Sequence, residues 1–375
     1  MRLILLGSFA NLLSFTVKAD EQGLLSDINI IEKLVTDSAR IAKIENVINK
    51  LPKMQLFLNP RYVAGDNKEN SFDIRRLQID ARGSIMKNLD YTIKVEFAGV
   101  PKILNANASW SPLNELRIRV GEYKIPFSLE TAYSSELLEG PENSQIVDQL
   151  VFYKDPITKI ESNGRDIGAG LYGGFFKKKG YSILDYDFGV FNGNGINVKD
   201  NNTKKNYVGR LNINPIKSVT ISGSFLNGKY GAQDKEPIKN IERYAAGLRY
   251  DDGKFLVRSE YIISNTQVDN PPPDPNDPEK KMPIDKNTPV KYQQSYGWYA
   301  LGGYYIIPQL QALFKYDFIR QDESDLLSET TKYYAGANYF FQKNKLSRIQ
   351  LSYCNSHASS KRNINQVIAQ LYIIF

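Results

Sequence analysis

The chain has 375 residues, 42% of them hydrophobic and 12% aromatic, with 24 tyrosines, one histidine and one cysteine. The lone Cys354 excludes an intrachain disulfide, and the lone His357 argues against a histidine-built metal centre or a histidine-dependent triad. A formal charge of +7 is too mild to point to nucleic acid, but it can draw in small anions where the cations are concentrated.

Residues 1–19 read as a secretory signal: Arg2 is the basic start, Leu3 to Phe15 the apolar stretch, and Val17-Lys18-Ala19 a small-residue cleavage site. Its removal leaves 46 basic against 41 acidic residues, a net of +5. Residues 20–53 are expected to form a periplasmic helical segment. Ile30, Leu34, Ile41, Ile44, Ile48 and Leu51 fit heptad core positions, with Asp37 interrupting, and Pro52 ends the helix. The segment either lies on its own barrel or forms a coiled coil, for which isoleucine at both core positions favours a trimer.

No apolar run reaches the ~18 residues of a spanning helix. Instead, residues 54–375 carry sixteen stretches of strand character. They fall near 54–63, 72–84, 90–98, 103–110, 115–123, 165–174, 183–192, 206–213, 218–227, 242–250, 255–264, 296–306, 310–321, 331–341, 347–356 and 366–375. Many approach the ~9–11 residues of a tilted membrane strand. Connections on one side are tight, as in Ser111-Pro112-Leu113-Asn114 and Asp251-Asp252-Gly253-Lys254. Those on the other are mostly long: 124–164, 193–205, 228–241, 265–295 and 357–365. The 265–295 stretch, rich in Pro and Asp and without periodicity, is expected to be a mobile loop. Short turns on one side and long loops on the other fit an antiparallel transmembrane barrel of sixteen strands. Such a barrel encloses an aqueous channel.

The fifth strand is the most informative. Leu116, Ile118 and Val120 share one face and Arg117, Arg119 and Gly121 the other, because strand side chains alternate with period two. An Arg at the midplane of the lipid face costs ~2–4 kcal/mol, so both arginines are expected to face the lumen. Pro126 then ends the ladder, and a long insertion without strand period runs to about residue 163. By the same parity Arg76, Arg82, Lys94, Arg210, Arg243, Arg249, Arg258, Lys315 and Arg348 face inward, with Asp80, Glu96, Asp166, Asp185, Asp187, Glu260 and Asp317 among the inward acids. Tyr62, Tyr91, Trp110, Tyr123, Tyr207, Tyr250 and Trp298 lie near strand ends, where amphipathic rings suit the lipid interface. In the last strand Val367, Ala369, Leu371, Ile373 and Phe375 share one face. Ile368 and Ile374 intrude on the polar one. The terminal Phe375 resembles the signal by which outer-membrane barrels engage their assembly machinery.

Four blocks in order carry a family resemblance. Arg75-Arg76-Leu77-Gln78-Ile79-Asp80-Ala81-Arg82-Gly83 and Val120-Gly121-Glu122-Tyr123-Lys124-Ile125-Pro126-Phe127-Ser128-Leu129-Glu130 are the first two. Gly164-Arg165-Asp166-Ile167-Gly168 and Gly189-Val190-Phe191-Asn192-Gly193-Asn194-Gly195 follow. Together they resemble the phosphate-selective porins O and P. The resemblance implies a sixteen-stranded, homotrimeric channel in the Gram-negative outer membrane, with the loop after the fifth strand folded into the lumen and anions such as phosphate or polyphosphate as solutes. It implies neither a cofactor nor a catalytic residue.

Arg76, Arg82, Arg117, Arg119, Lys124 and Arg165 are accordingly the expected pore-lining cations. Arginine suits phosphate through its planar fork, and lysine acts as a compact charge. Against strict phosphate selection, the loop carries Glu130, Glu136, Glu139, Glu142, Asp148 and Asp155. An acidic loop facing a basic wall would set up a transverse field, as in a general diffusion porin without phosphate specificity. A barrel enzyme is the remaining alternative, with His357 beside Ser356 and Ser359.

Overall fold

A computed structural model describes residues 51–66, 68–342, 346–359 and 361–375. The signal and the heptad segment up to residue 50 lie outside the described residues, and Lys53, the last residue given to that segment, already belongs to the first strand. The chain from Lys53 onward forms β1 (Lys53–Gly65), β2 (Lys68–Met86), β3 (Leu89–Glu96), β4 (Lys102–Trp110) and β5 (Arg117–Lys124). After the long insertion come β6 (Arg165–Lys178), β7 (Tyr181–Phe191), β8 (Asn206–Ile213), β9 (Val219–Tyr230), β10 (Lys239–Asp251) and β11 (Phe255–Asp269). A small hairpin, β12 (Pro273–Asp274) with β13 (Asp277–Lys281), stands apart from the wall. The wall resumes with β14 (Val290–Ile307), β15 (Leu310–Arg320), β16 (Glu329–Phe340), β17 (Arg348–Ala358) and β18 (Lys361–Ile374).

Each wall strand pairs antiparallel with its neighbour in sequence, and β18 returns to β1, closing a barrel of sixteen strands. The seam is zipped to its end: the Leu56 N–H donates to the Phe375 carbonyl at 2.7 Å, and the Phe375 N–H to the Leu56 carbonyl at 3.1 Å. Closure leaves no unpaired edge, which the hydrocarbon region would penalise.

All sixteen expected strands are present, but several run further than the apolar pattern suggested. The stretch 357–365, read as a loop, is largely strand, so β17 and β18 are joined only by 359–360, while 228–241 narrows to a loop at 231–238 between β9 and β10. The same holds in 265–295, where β11 and β14 stay paired out to Asp269 and Val290 and the loop beyond contains the β12–β13 hairpin. Past the lipid slab a strand can be polar on both faces, so periodicity fades before the ladder does.

The insertion at 125–164 contains α1 (Leu129–Ala132), a 3-10 turn at Ser135–Leu137 and α2 (Gln145–Leu150). It folds into the lumen and, among the described residues, supplies seven of the nineteen buried residues of the main apolar core. Ile125, Phe127, Ile146, Val147, Leu150, Val151 and Phe152 pack on Leu226, Tyr230, Ile241, Ala245, Leu256, Ile262, Tyr299, Leu301 and Ile319, which point inward from β9, β10, β11, β14 and β15. Each fully buried side chain of this size stabilises by roughly 1.5–3 kcal/mol. The far wall under the loop therefore carries apolar side chains between the charged ones that parity places there. A second small cluster joins Tyr334, Cys354 and Ile368, so Ile368 is a packed lumen residue rather than an intruder.

Candidate functional site

The loop is fastened by charge as well as by packing. Arg243 pairs with Asp155 and donates to the Leu150 carbonyl at 2.6 Å. Arg258 reaches Glu139 at 2.7 Å and Glu130 at 3.3 Å. Arg348 donates to the carbonyls of Glu136 (2.9 Å) and Leu138 (2.5 Å). Lys315 donates to the Glu142 carbonyl at 3.3 Å. Wall carboxylates serve the loop's free backbone donors. Glu260 accepts from the N–H groups of Leu129 (2.6 Å) and Glu130 (3.3 Å) and from Ser128 Oγ (2.9 Å), while Asp317 accepts from the Gln145 N–H at 2.8 Å. Ser128 holds a positive φ of 74°, a backbone cost that these bonds offset.

This arrangement corrects the transverse-field expectation. The loop's acids do not face open water opposite a basic wall. Glu130, Glu139 and Asp155 are in contact with far-wall arginines; Glu136 lies 3.4 Å from Lys94, and Glu142 3.5 Å from Arg61. Asp148 accepts from Asn143 at 2.8 Å. Their charge is spent in holding the loop. Arg249 is engaged as well, 2.6 Å from Asp251 on its own strand and 3.8 Å from Glu139 of the loop.

The near wall is different. A cavity of about 350 Å³ opens beside the loop and is lined by Arg82, Lys94, Arg119, Lys124, Arg165 and Arg210, with Asp187 as its one carboxylate. It adjoins a second of about 370 Å³, sharing Tyr172, Asp187 and Arg210 and adding Arg117 and Lys177. The second adjoins a third of about 530 Å³, which shares Asn114, Arg117 and Lys177 and reaches the short turns at 87–88 and 111–116. The three form a track from the inserted loop to the short-turn end of the barrel.

Four of the six expected cations thus line one cavity. Arg119 lies with its guanidinium carbon 4.0 Å from the Tyr172 ring centre and 4.7 Å from that of Tyr123. The two rings fix the plane while leaving N–H edges for a solute. Arg165 donates to the Asn163 carbonyl at 2.9 Å and to Asn105 at 3.3 Å. Lys124, the last residue of β5, donates to the carbonyls of Tyr133 (2.7 Å) and Thr131 (3.1 Å) and so also ties the loop's first turn to the wall. Arg82 is paired with Asp80. Arg117 belongs to the second cavity, 5.7 Å from Tyr172. Arg76 sits behind the loop, 3.6 Å from Glu96, in a narrow cleft that it shares with Lys124 and Arg165. Among the described residues, Arg117, Arg119, Lys124, Arg165 and Arg210 have no carboxylate at ion-pair distance.

Sequence reasoning missed several members of the site. Tyr123 was placed at the lipid interface, yet it is 2% exposed and lines the cavity. It shares the parity of Arg117 and Arg119, a signal that was available. Its hydroxyl has room because residue 170 is glycine: a Cβ there would meet the Tyr123 oxygen at 2.7 Å. Arg75, next to the inward Arg76, would face outward if the alternation were unbroken. The register skips it, with Asn59 opposite Arg76 and Pro60 opposite Ile74. Pro60 supplies no N–H, the ladder bulges there, and Arg75 turns in to donate to the Pro141 carbonyl of the loop.

The barrel, the in-folded loop and the cationic track define a channel-forming protein of the porin class. The family model of the phosphate-selective porins O and P matches residues 54–244, and the chain belongs to that family. No curated protein sequence matches it. Among solved structures it is similar to an anion-selective porin from Comamonas acidovorans (10% identity, TM-score 0.62, covering 86% of this chain and 99% of that one). It is also similar to OmpF of Salmonella typhi in complex with daunomycin (12% identity, TM-score 0.60, 88% and 99%). A third is in-vitro folded OmpT of Vibrio cholerae in its trimer form (12% identity, TM-score 0.58, 86% and 99%). At such identities these likenesses speak to fold. The chain is an outer-membrane porin.

Proposed function

We propose that this porin passes small anions, phosphate among them, down the track between the inserted loop and β2–β8, with Arg82, Arg117, Arg119, Lys124 and Arg165 as its cationic lining and Arg76 adding its charge from the cleft behind the loop. One observation carries the reading: the far-wall cations are engaged by the loop, while Arg117, Arg119, Lys124, Arg165 and Arg210 face the cavities without a carboxylate partner. Unpaired charge along a narrow aqueous path enriches counter-ions and lowers their entry barrier. The Comamonas acidovorans neighbour is described as anion-selective, in keeping with this reading.

The reading is a passive channel rather than an enzyme. His357 lies on β17, hydrogen-bonded to Asn363 and away from the cavities. A homotrimer in outer-membrane lipid is supported by the isoleucine heptads near the N-terminus and by the trimer form of the Vibrio cholerae neighbour. Assembly through the Phe375 terminus, and the division into signal, periplasmic helix and barrel at residues 19 and 53, complete the proposal.

The test is a planar bilayer with purified protein under a potassium chloride gradient. The reversal potential is expected to have the sign of anion permeation and to keep that sign in potassium phosphate. A cation-selective reversal would overturn the proposal.

A further inference from the structure

Among the described residues, Asp187 is the only carboxylate lining the first cavity, beside the inserted loop, and it lines the second as well. In the register of the wall it stands in one row with Tyr172 on one side and Arg210 on the other, and Tyr172 in turn faces Arg117. Its charge is felt by both Arg119 and Arg210, yet among the described residues it makes no hydrogen bond and no ion pair at contact distance. Nearby, the Tyr123 hydroxyl is buried without a partner. A recess built only to attract anions gains nothing from a carboxylate in its middle, because like charge repels the solute. A carboxylate with free lone pairs does have one use there, as a hydrogen-bond acceptor, since every cationic neighbour can only donate.

We propose that Asp187 is a specificity-determining residue of the channel, favouring oxyanions that still carry an O–H over those that carry none. This deepens the anion-channel reading and rests on it. Arg119 and Arg210 hold the charged oxygens of the solute, the Tyr123 hydroxyl donates to another, and the solute's own O–H donates to Asp187. An O–H to carboxylate hydrogen bond is charge-assisted and among the stronger ones, so it outweighs the repulsion. An anion without a proton meets the same carboxylate with a lone pair and pays the repulsion uncompensated. Hydrogen phosphate keeps an O–H at neutral pH; sulfate does not. Methyl phosphate, with a second pKa of about 6, is mostly stripped of its proton at pH 7.5 and belongs with sulfate.

The test is block of chloride current through single channels of the full chain at pH 7.5, titrated separately with inorganic phosphate, sulfate and methyl phosphate. Wild type is expected to be half-blocked by phosphate at a lower concentration than by either of the others. Asp187→Asn should raise the phosphate value about tenfold relative to sulfate, the scale of one charged hydrogen bond. Asp187→Glu keeps the acceptor and should keep the preference, which guards against a variant that merely folds poorly. Asp73→Asn, outside the three cavities and paired with Arg61 at 2.5 Å, should leave the preference as it was. A wild type that does not distinguish phosphate from sulfate, or an Asp187→Asn that shifts both alike, overturns the proposal. Methyl phosphate blocking as tightly as phosphate overturns it too, since the proton would then be irrelevant. The reversal potential of wild type in a chloride gradient reads anion preference separately. A cation-selective wild type removes the underlying reading, whereas an anion-selective wild type with an unchanged block ratio removes only this one.

Discussion

Arg243 of β10 and Asp155 of the inserted loop form an ion pair in which neither side chain has any exposure. The guanidinium also donates to Ser264 at 3.0 Å and lies 4.6 Å from the Phe152 ring centre. Removing one member of such a pair strands a buried charge, at a cost of about 3–5 kcal/mol. Arg243→Met is therefore expected to lower the denaturant midpoint of the folded, heat-modifiable form and to raise current noise as the loop loosens. The double variant Arg243→Met, Asp155→Leu should recover most of the midpoint. Equal loss in single and double variants would show that the pair is not the fastening.

A second expectation concerns the cations that have no such duty. Neutralising Arg117 and Arg119 together, as Gln, should lower the anion-to-cation permeability ratio while leaving the folded fraction unchanged. Neither residue has a carboxylate partner among the described residues whose charge would be stranded. The effect should shrink in strong salt, because the ~8 Å screening length at physiological ionic strength is close to the scale of the cavity. An unchanged reversal potential in dilute salt would reassign them to holding Tyr172 in place.

The loop's tie to the near wall has a pH signature. Burial acts to raise the Glu136 carboxyl, but the ammonium of Lys94 beside it wins, and the group sits below the ordinary glutamate range. A carboxyl lowered on folding stabilises the fold above its unfolded pKa, and that stabilisation is lost as pH falls through the folded value. The stability difference between wild type and Glu136→Gln should thus stay constant from pH 7 to about 5 and close only below the usual glutamate pKa of ~4.3. Thermal melts across that range provide the measurement. A difference that closes above pH 5 would mean that Lys94 does not hold the group.

Deleting Phe375 should cut the yield of assembled barrel. It removes the two backbone bonds that end the seam with Leu56, together with a terminal aromatic side chain that is 70% exposed. The fraction of heat-modifiable protein in outer-membrane preparations reads this directly. Phe375→Tyr, which keeps the ring and both backbone bonds, should restore it.

How much of this the sequence disclosed follows from where each residue finds its environment. The lipid-facing sides of the strands were legible, since hydrocarbon imposes a strict alternation on every strand it touches. The inward orientation of Arg117 and Arg119 followed from the same rule. Ile241, Ile262 and Leu301 were not legible as core, because they are buried against Ile146 and Leu150, residues 90–160 positions away that no local period connects to them. The pairing of Glu130 with Arg258 was hidden for the same reason, and that is why the loop's acids looked free to face the channel. Arg75 escaped because one extra residue in a ladder inverts the parity of everything read from it, and only Pro60 on the partner strand marked the place.

The loop's fastening has a further consequence for how this channel can change over time. The far-side anchors Arg243, Arg258, Lys315 and Arg348 lie on β10, β11, β15 and β17, whereas the cations without a carboxylate partner, Arg117, Arg119, Lys124, Arg165 and Arg210, fall within one stretch of chain ending on β8, where Lys124 and Arg210 reach the loop only through its carbonyls. Substitutions in that stretch can alter which solutes pass without disturbing the parts that keep the constriction closed on its far side. Exchange of a single contiguous gene segment between related channels would carry the filter across while leaving the fastening with the recipient.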